Sequence, residues 1–203
     1  PRQRRQRGKH GAHVLGILDH VAGGRFHAPQ AKHDVAVDAI GALVAPPLRT
    51  TGIETSNPPV DWDTTTGRNI IWSVELGNET FGRPVVAGDA VYVGTDNARR
   101  LNPAFRQAAG VLMAFQAKDG KFLWQDVAPR VERGLREFLL PSTTSAPYVE
   151  KNRLYYVTAE CQLRCLDTQG FRDGENNGPY REEVFQDNAA ADIVWELDMC
   201  GRL

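Results

Sequence analysis

From Asp61 onward, β-branched and aromatic residues recur in short runs broken by turn residues. "RPVVAGDAVYVGT" (83–95) holds two such runs separated by Ala-Gly-Asp and predicts a hairpin. "VLMAFQAKDGKFLWQ" (111–125) predicts a second, turning at Asp119-Gly120. An Asp-Gly pair suits a type I′ turn, in which both central residues take positive φ. "APYVEKNRLYYVTAE" (146–160) repeats the first hairpin, with its turn at residues 150–152. Pro84 and Pro147 stand at equivalent places in the two copies, as do Tyr92 and Tyr155, and the offset is 63 residues.

The second hairpin also has partial copies. "DTTTGRNIIW" ends in Trp72, and "CLDTQG" (165–170) leads through an insertion to "DIVW", ending in Trp195. The tryptophans lie 52 and then 71 residues apart, and two loops, 128–145 and 171–191, hold the extra length. Four short strands per repeat predict β-propeller blades. A four-stranded sheet hides an apolar face only against a neighbour, so each blade needs the same contact at the same place. Ala114 is small enough for a side chain to approach its strand, and Gly120 permits the turn with space above it. Trp124 supplies a flat apolar surface and one N–H donor. In the third copy Cys165 stands in place of Ala114, and Gly170 in place of Gly120. The expected fold is all-β: antiparallel blades of an incomplete propeller over 61–203, with Trp72, Trp124 and Trp195 at blade interfaces.

The Ala114-to-Trp124 arrangement, A-x-x-x-x-x-G-K-x-x-W, resembles the tryptophan-docking repeat of pyrroloquinoline-quinone-like β-propellers. That family includes quinoprotein alcohol dehydrogenases and the lipoprotein subunit of the bacterial outer-membrane assembly machine. Its motif has Asp at the third position and Thr before the Gly, where this copy has Gln116 and Asp119. The copy ending at Trp72 keeps Asp63, Thr66 and Gly67, and the third keeps Asp167 and Gly170. The resemblance covers about residues 61–199 and implies two functions. One is a non-catalytic scaffold that meets other proteins through the propeller surface, in the periplasm or cell envelope. The other is a piece of a dehydrogenase using pyrroloquinoline quinone (PQQ). Quinoprotein dehydrogenases hold the quinone with an adjacent Cys-Cys pair, a calcium ion and a catalytic Asp, and this sequence has no Cys-Cys pair. No catalytic residue is assigned. About three of the family's seven or eight blades are expected, as part of a larger exported protein.

Composition adds limits. The chain has 203 residues and a net charge of −1, which gives no overall bias towards nucleic acid. Residues 1–60 carry eight Lys or Arg against four Asp or Glu, and residues 61–203 carry sixteen against twenty-one. That first segment lacks apolar periodicity and is expected to be a disordered or non-native leader. His10, His13, His20, His27 and His33 all fall in it, without a cysteine or paired carboxylate to complete a metal site. No apolar run reaches the roughly 18 residues of a membrane span. The three cysteines read as free thiols. In a strand, Cys161 and Cys165 would stand about 13 Å apart, too far to bridge.

Three loops carry candidate chemistry. "DGENNG" (173–178) places Asp173, Glu175 and Asn177 at alternate positions before Gly178, as in the first half of a calcium loop. The position of the bidentate Glu is held by Val184, so the alternatives are weak calcium binding that pins the insertion or an ordinary polar turn. "RVERGLREF" (130–138) reads as a short helix, either a lid or a solvated surface helix. Arg99, Arg100 and Arg106 beside Phe105 read as a blade-rim loop rather than a nucleic-acid site.

Overall fold

A computed structural model of the chain describes residues 61–129 and 142–199, together with the backbone of residues 13–16. The predicted helix at 130–138 and the remainder of residues 1–60 lie outside the described residues. Strand β1 (His13–Gly16) pairs antiparallel with β2 (Trp72–Glu75). Two four-stranded antiparallel sheets follow. The first contains β3 (Val85–Ala87), β4 (Ala90–Asp96), β5 (Ala109–Gln116) and β6 (Phe122–Pro129), side by side in chain order. The second repeats it with β7 (Tyr148–Glu150), β8 (Arg153–Val157), β9 (Gln162–Asp167) and β10 (Ile193–Asp198). These are two propeller blades, and β2 brings Trp72 against the first of them.

The 63-residue repeat holds at the level of register. Val85 faces Tyr92 and Ala87 faces Ala90 in the first blade; Tyr148 faces Tyr155 and Glu150 faces Arg153 in the second. Both hairpins turn with a positive φ at the same repeat position, Gly88 in one and Lys151 in the other. A lysine in the left-handed region is strained by about 1–2 kcal/mol where glycine is not. Lys151→Gly is therefore expected to stabilise the second blade by about 0.5–1 kcal/mol, after glycine's larger unfolded-state entropy is subtracted. A denaturant midpoint that falls would contradict this.

Two turns differ from the sequence expectation. At Asp119-Gly120 only Gly120 has positive φ, and the loop spans four residues, closed by Gln116 N–H on Lys121 O at 2.8 Å and Gly120 N–H on Gln116 O at 2.9 Å. Leu123 is left unpaired as a bulge, because Ala114 faces Trp124 while Phe115 faces Phe122. Cys161 lies in the turn between β8 and β9, with φ 61°, rather than in a strand.

Alternation then decides what each face buries. Val91, Val93, Val111, Met113 and Phe115 point to one side of the first blade and meet Trp72 and Leu76. Tyr92, Leu112, Ala114 and Trp124 point to the other and meet Leu154, Tyr156 and Leu166 of the second blade. All seven residues of β4 are buried as a result. A strand apolar on both faces belongs to a sheet covered on both faces, which is the condition stacking imposes.

Candidate functional site at the blade junction

The two buried tryptophans make the same contact one blade apart. The Trp72 indole N–H donates to Ala117 O at 2.7 Å, and its ring lies over Gly120, where an added Cβ would sit 2.6 Å from a ring carbon. The Trp124 N–H donates to Thr168 O at 3.0 Å, and its ring lies over Gly170, where a Cβ would meet it at 3.0 Å. Ala117 and Thr168 each stand three residues after the small residue of their copy, Ala114 and Cys165. Each indole thus spends its only donor on the next blade's turn and its flat face on that turn's glycine. Within a blade, Tyr92 faces Ala114, which faces Trp124, and the two rings meet across the small residue at 5.8 Å. Tyr155, Cys165 and Trp195 repeat this trio, with ring centroids 6.1 Å apart. Burial pushes the Cys165 thiol above its ordinary range, which keeps it protonated and inert. Trp195 departs from the expected interface position. It is only half-buried, because its face of the second blade has no further sheet against it among the described residues.

The family's Asp and Thr positions explain themselves in the first copy. Asp63 accepts the Thr65 N–H at 2.8 Å and the Thr66 hydroxyl at 2.9 Å, closing the turn that presents Gly67. These bonds, led by the Thr65 N–H, hold the Asp63 carboxyl below its ordinary range. In the third copy Asp167 accepts the Gln169 N–H at 2.8 Å and pairs with Arg153 at 2.5 Å. In the second, Asp119 takes over, accepting the Lys121 N–H at 3.0 Å.

Beside Trp124 the blades share a buried charge network that sequence reading missed. Asp126 on β6 receives Arg164 Nη1 from β9 at 3.0 and 3.1 Å, and the Tyr156 hydroxyl donates to it at 2.6 Å. Arg164 Nε donates to Glu196 at 2.7 Å, and Gln162 donates to the same carboxylate at 2.9 Å. Both Asp126 and Arg164 are at least nine-tenths buried. Burial alone would lower the Arg164 pKa, but the charges of Asp126, Tyr156 and Glu196 outweigh it and raise it. Burial, followed by the Asp126 charge, holds the Tyr156 phenol well above its ordinary range. One signal was present in the sequence. Asp126 is two residues from Trp124 and Arg164 two from Leu166, so opposite charges occupy the inward phase of two facing strands.

The 171–191 insertion closes this junction. Gln125 N–H donates to Ala189 O at 2.9 Å, and Ala191 N–H donates to Gln125 O at 3.0 Å. The loop therefore adds a short parallel bridge to β6 of the preceding blade, opposite Ala190. Farther out, Asn177 N–H donates to Asp192 at 2.8 Å, and Phe185 meets Phe105 edge-on at 6.1 Å. The sequence left Asp173, Glu175 and Asn177 open between weak calcium binding and an ordinary polar turn. Asp173 accepts the Glu175 N–H at 2.9 Å, Asp173 and Glu175 are exposed, and Asn177 sits beside Asp192. Among the described residues, no three His, Cys, Asp or Glu side chains group to hold a metal ion. In the Arg-rich loop, Arg99 pairs with Glu75 and Phe105 is buried, so its ring is no stacking platform.

This geometry sits inside a recognised repeat. Residues 32–196 match the protein family described as outer membrane protein assembly factor BamB. The chain belongs to the BamB family. The match begins within the segment that sequence reading left without a function. Among solved structures, BamB from Moraxella catarrhalis is similar at 14% identity and a TM-score of 0.37, over 64% of this chain and 28% of that one. This chain thus spans 28% of the length of that relative. No curated protein matches the sequence. Among the described residues, no helix is long and apolar enough to cross a membrane.

Proposed function

We propose that this BamB-family chain is a non-catalytic scaffold, exported to the periplasm, on which other proteins dock during outer-membrane protein assembly. The observation that carries the reading is how the chain divides its apolar surface. Stacking consumes both faces of the first blade. Phe81, 68% exposed, Val86 on β3 and Tyr148 on β7 instead face solvent on the leading strands of adjacent blades or just before them. The segments entering β3 and β7 touch, since Gly82 lies against the backbone of Ser145. Exposed aromatic and β-branched side chains on a rigid edge suit a protein partner.

The test is a gene replacement in the source organism. Deletion is expected to lower outer-membrane protein content, and the unaltered gene to restore it. A Phe81→Asp variant leaves both apolar cores intact; it is expected to accumulate normally in the periplasmic fraction yet restore poorly. Full rescue by that variant would refute the docking edge. Alcohol oxidation by the purified chain supplied with PQQ and calcium would refute the non-catalytic assignment.

A further inference from the structure

We propose that the cavity between the two blades is a binding site for a small organic ammonium ion. The cavity, of about 190 Å³, lies where the insertion crosses β6. Drug-sized ligands occupy roughly 300–1,000 Å³. A cavity on the order of 150 Å³ already holds a benzene-sized guest, and that sets the scale here.

Two polar side chains in its lining have no partner among the described residues. Gln125 is 2% exposed, and its backbone is committed to Ala189 and Ala191, yet neither its amide oxygen nor its amide nitrogen makes a hydrogen bond. Both carboxylate oxygens of Glu183 are buried and equally unpartnered. Buried amides and carboxylates are paired as a rule, because leaving one unpaired forfeits its hydration with nothing in return.

The charges around the cavity decide the sign of the ligand. Among the described residues, Arg164 is the cation in the lining, and Asp126 and Glu196 already hold it. Glu183 is left on the wall as a carboxylate without a partner among the described residues, beside the exposed Glu182. An ammonium group meets this need: one N–H donates to Glu183 and another to the Gln125 amide oxygen. Apart from Asn102 and the Tyr180 hydroxyl, the rest of the wall is apolar, including Phe105, Phe185 and Ile193, and suits a short aliphatic body. The aromatic pair adds attraction for a cation. An anion would face the two glutamates, and a neutral hydrocarbon would leave both polar groups stranded.

Calorimetry and thermal melting of the full chain with n-butylammonium test the proposal, with n-butanol as the neutral match in shape. Saturable binding of the amine at millimolar concentrations or below is expected, with a melting temperature that climbs with amine and not with alcohol. Glu183→Gln is expected to weaken binding by on the order of tenfold or more, the worth of a charged hydrogen bond. The same variant is expected to melt no lower than the parent without amine, since it removes an unpaired buried charge. Glu150→Gln, an exposed carboxylate on the β7 turn, keeps the parent's affinity. A cavity holding only water would show no saturable binding, and that result overturns the proposal. Equal binding by the parent and Glu183→Gln overturns it as well.

Discussion

Replacing Trp124 with alanine is expected to destabilise the chain by about 3–5 kcal/mol, the range for truncating a large buried aromatic. Trp124 is 0% exposed, and three contacts are lost together. They are the ring face over Gly170, the packing against Tyr92, and the hydrogen bond to Thr168 O. The carbonyl of Thr168 and the glycine turn then lose their cover, so the damage falls on the interface rather than on one blade. Domains are stable by roughly 5–15 kcal/mol in total, so this one change removes a large share. Trp195→Ala is the internal comparison. Its ring is half-buried and packs on Tyr155 alone among the described aromatics, so its loss is expected to be clearly smaller. Denaturant unfolding of the two variants checks the order. Equal losses would mean that the tryptophans act within their own blades.

The second large effect is expected at the charge network. Arg164→Ala leaves Asp126 buried with the Tyr156 hydroxyl as its remaining side-chain partner, and Asp126→Ala leaves Arg164 with Glu196. Breaking one half of a buried pair costs about 3–5 kcal/mol, because the surviving charge keeps its desolvation without its partner. Removing both charges together is a different matter. A double replacement by apolar residues of similar volume, Asp126→Leu with Arg164→Met, is expected to lie near the parent or above it. The four-member cycle of unfolding free energies measures the coupling directly. Additive losses would show that the pair does not act across the blades.

How much of this was legible depended on the range of the interaction. Hairpins and the 63-residue repeat are local patterns, so the runs at 83–95 and 146–160 specify strands and register by themselves. The spacing of Ala114, Gly120 and Trp124 was also readable, since a repeated contact imposes a repeated offset. Its partner was not. Trp124 meets Gly170 and Thr168 of the next copy, and nothing within 114–124 says which turn receives it. The Asp126–Arg164 pair hid in the same way, because the inward phase of each charge is legible within its own strand but its partner on the facing strand is not. At Asp119 the dipeptide suggested a two-residue turn, but the bulge at Leu123 lengthened the loop and left positive φ to Gly120. In the insertion, the alternate spacing of Asp173, Glu175 and Asn177 is a local pattern that leaves a calcium loop and a polar turn both open. The backbone bridge from the insertion to Gln125 is a contact that has no sequence signature.

The most direct test of the account is hydrogen exchange at the indole nitrogens, assigned by single Trp→Phe replacement. The central claim is that Trp72 and Trp124 cross blade interfaces with their N–H groups bonded to the next blade. Their indole protons are then expected to exchange only through opening of the interface, far more slowly than that of Trp195. A Trp124 indole proton that exchanges as fast as that of Trp195 would contradict the claim.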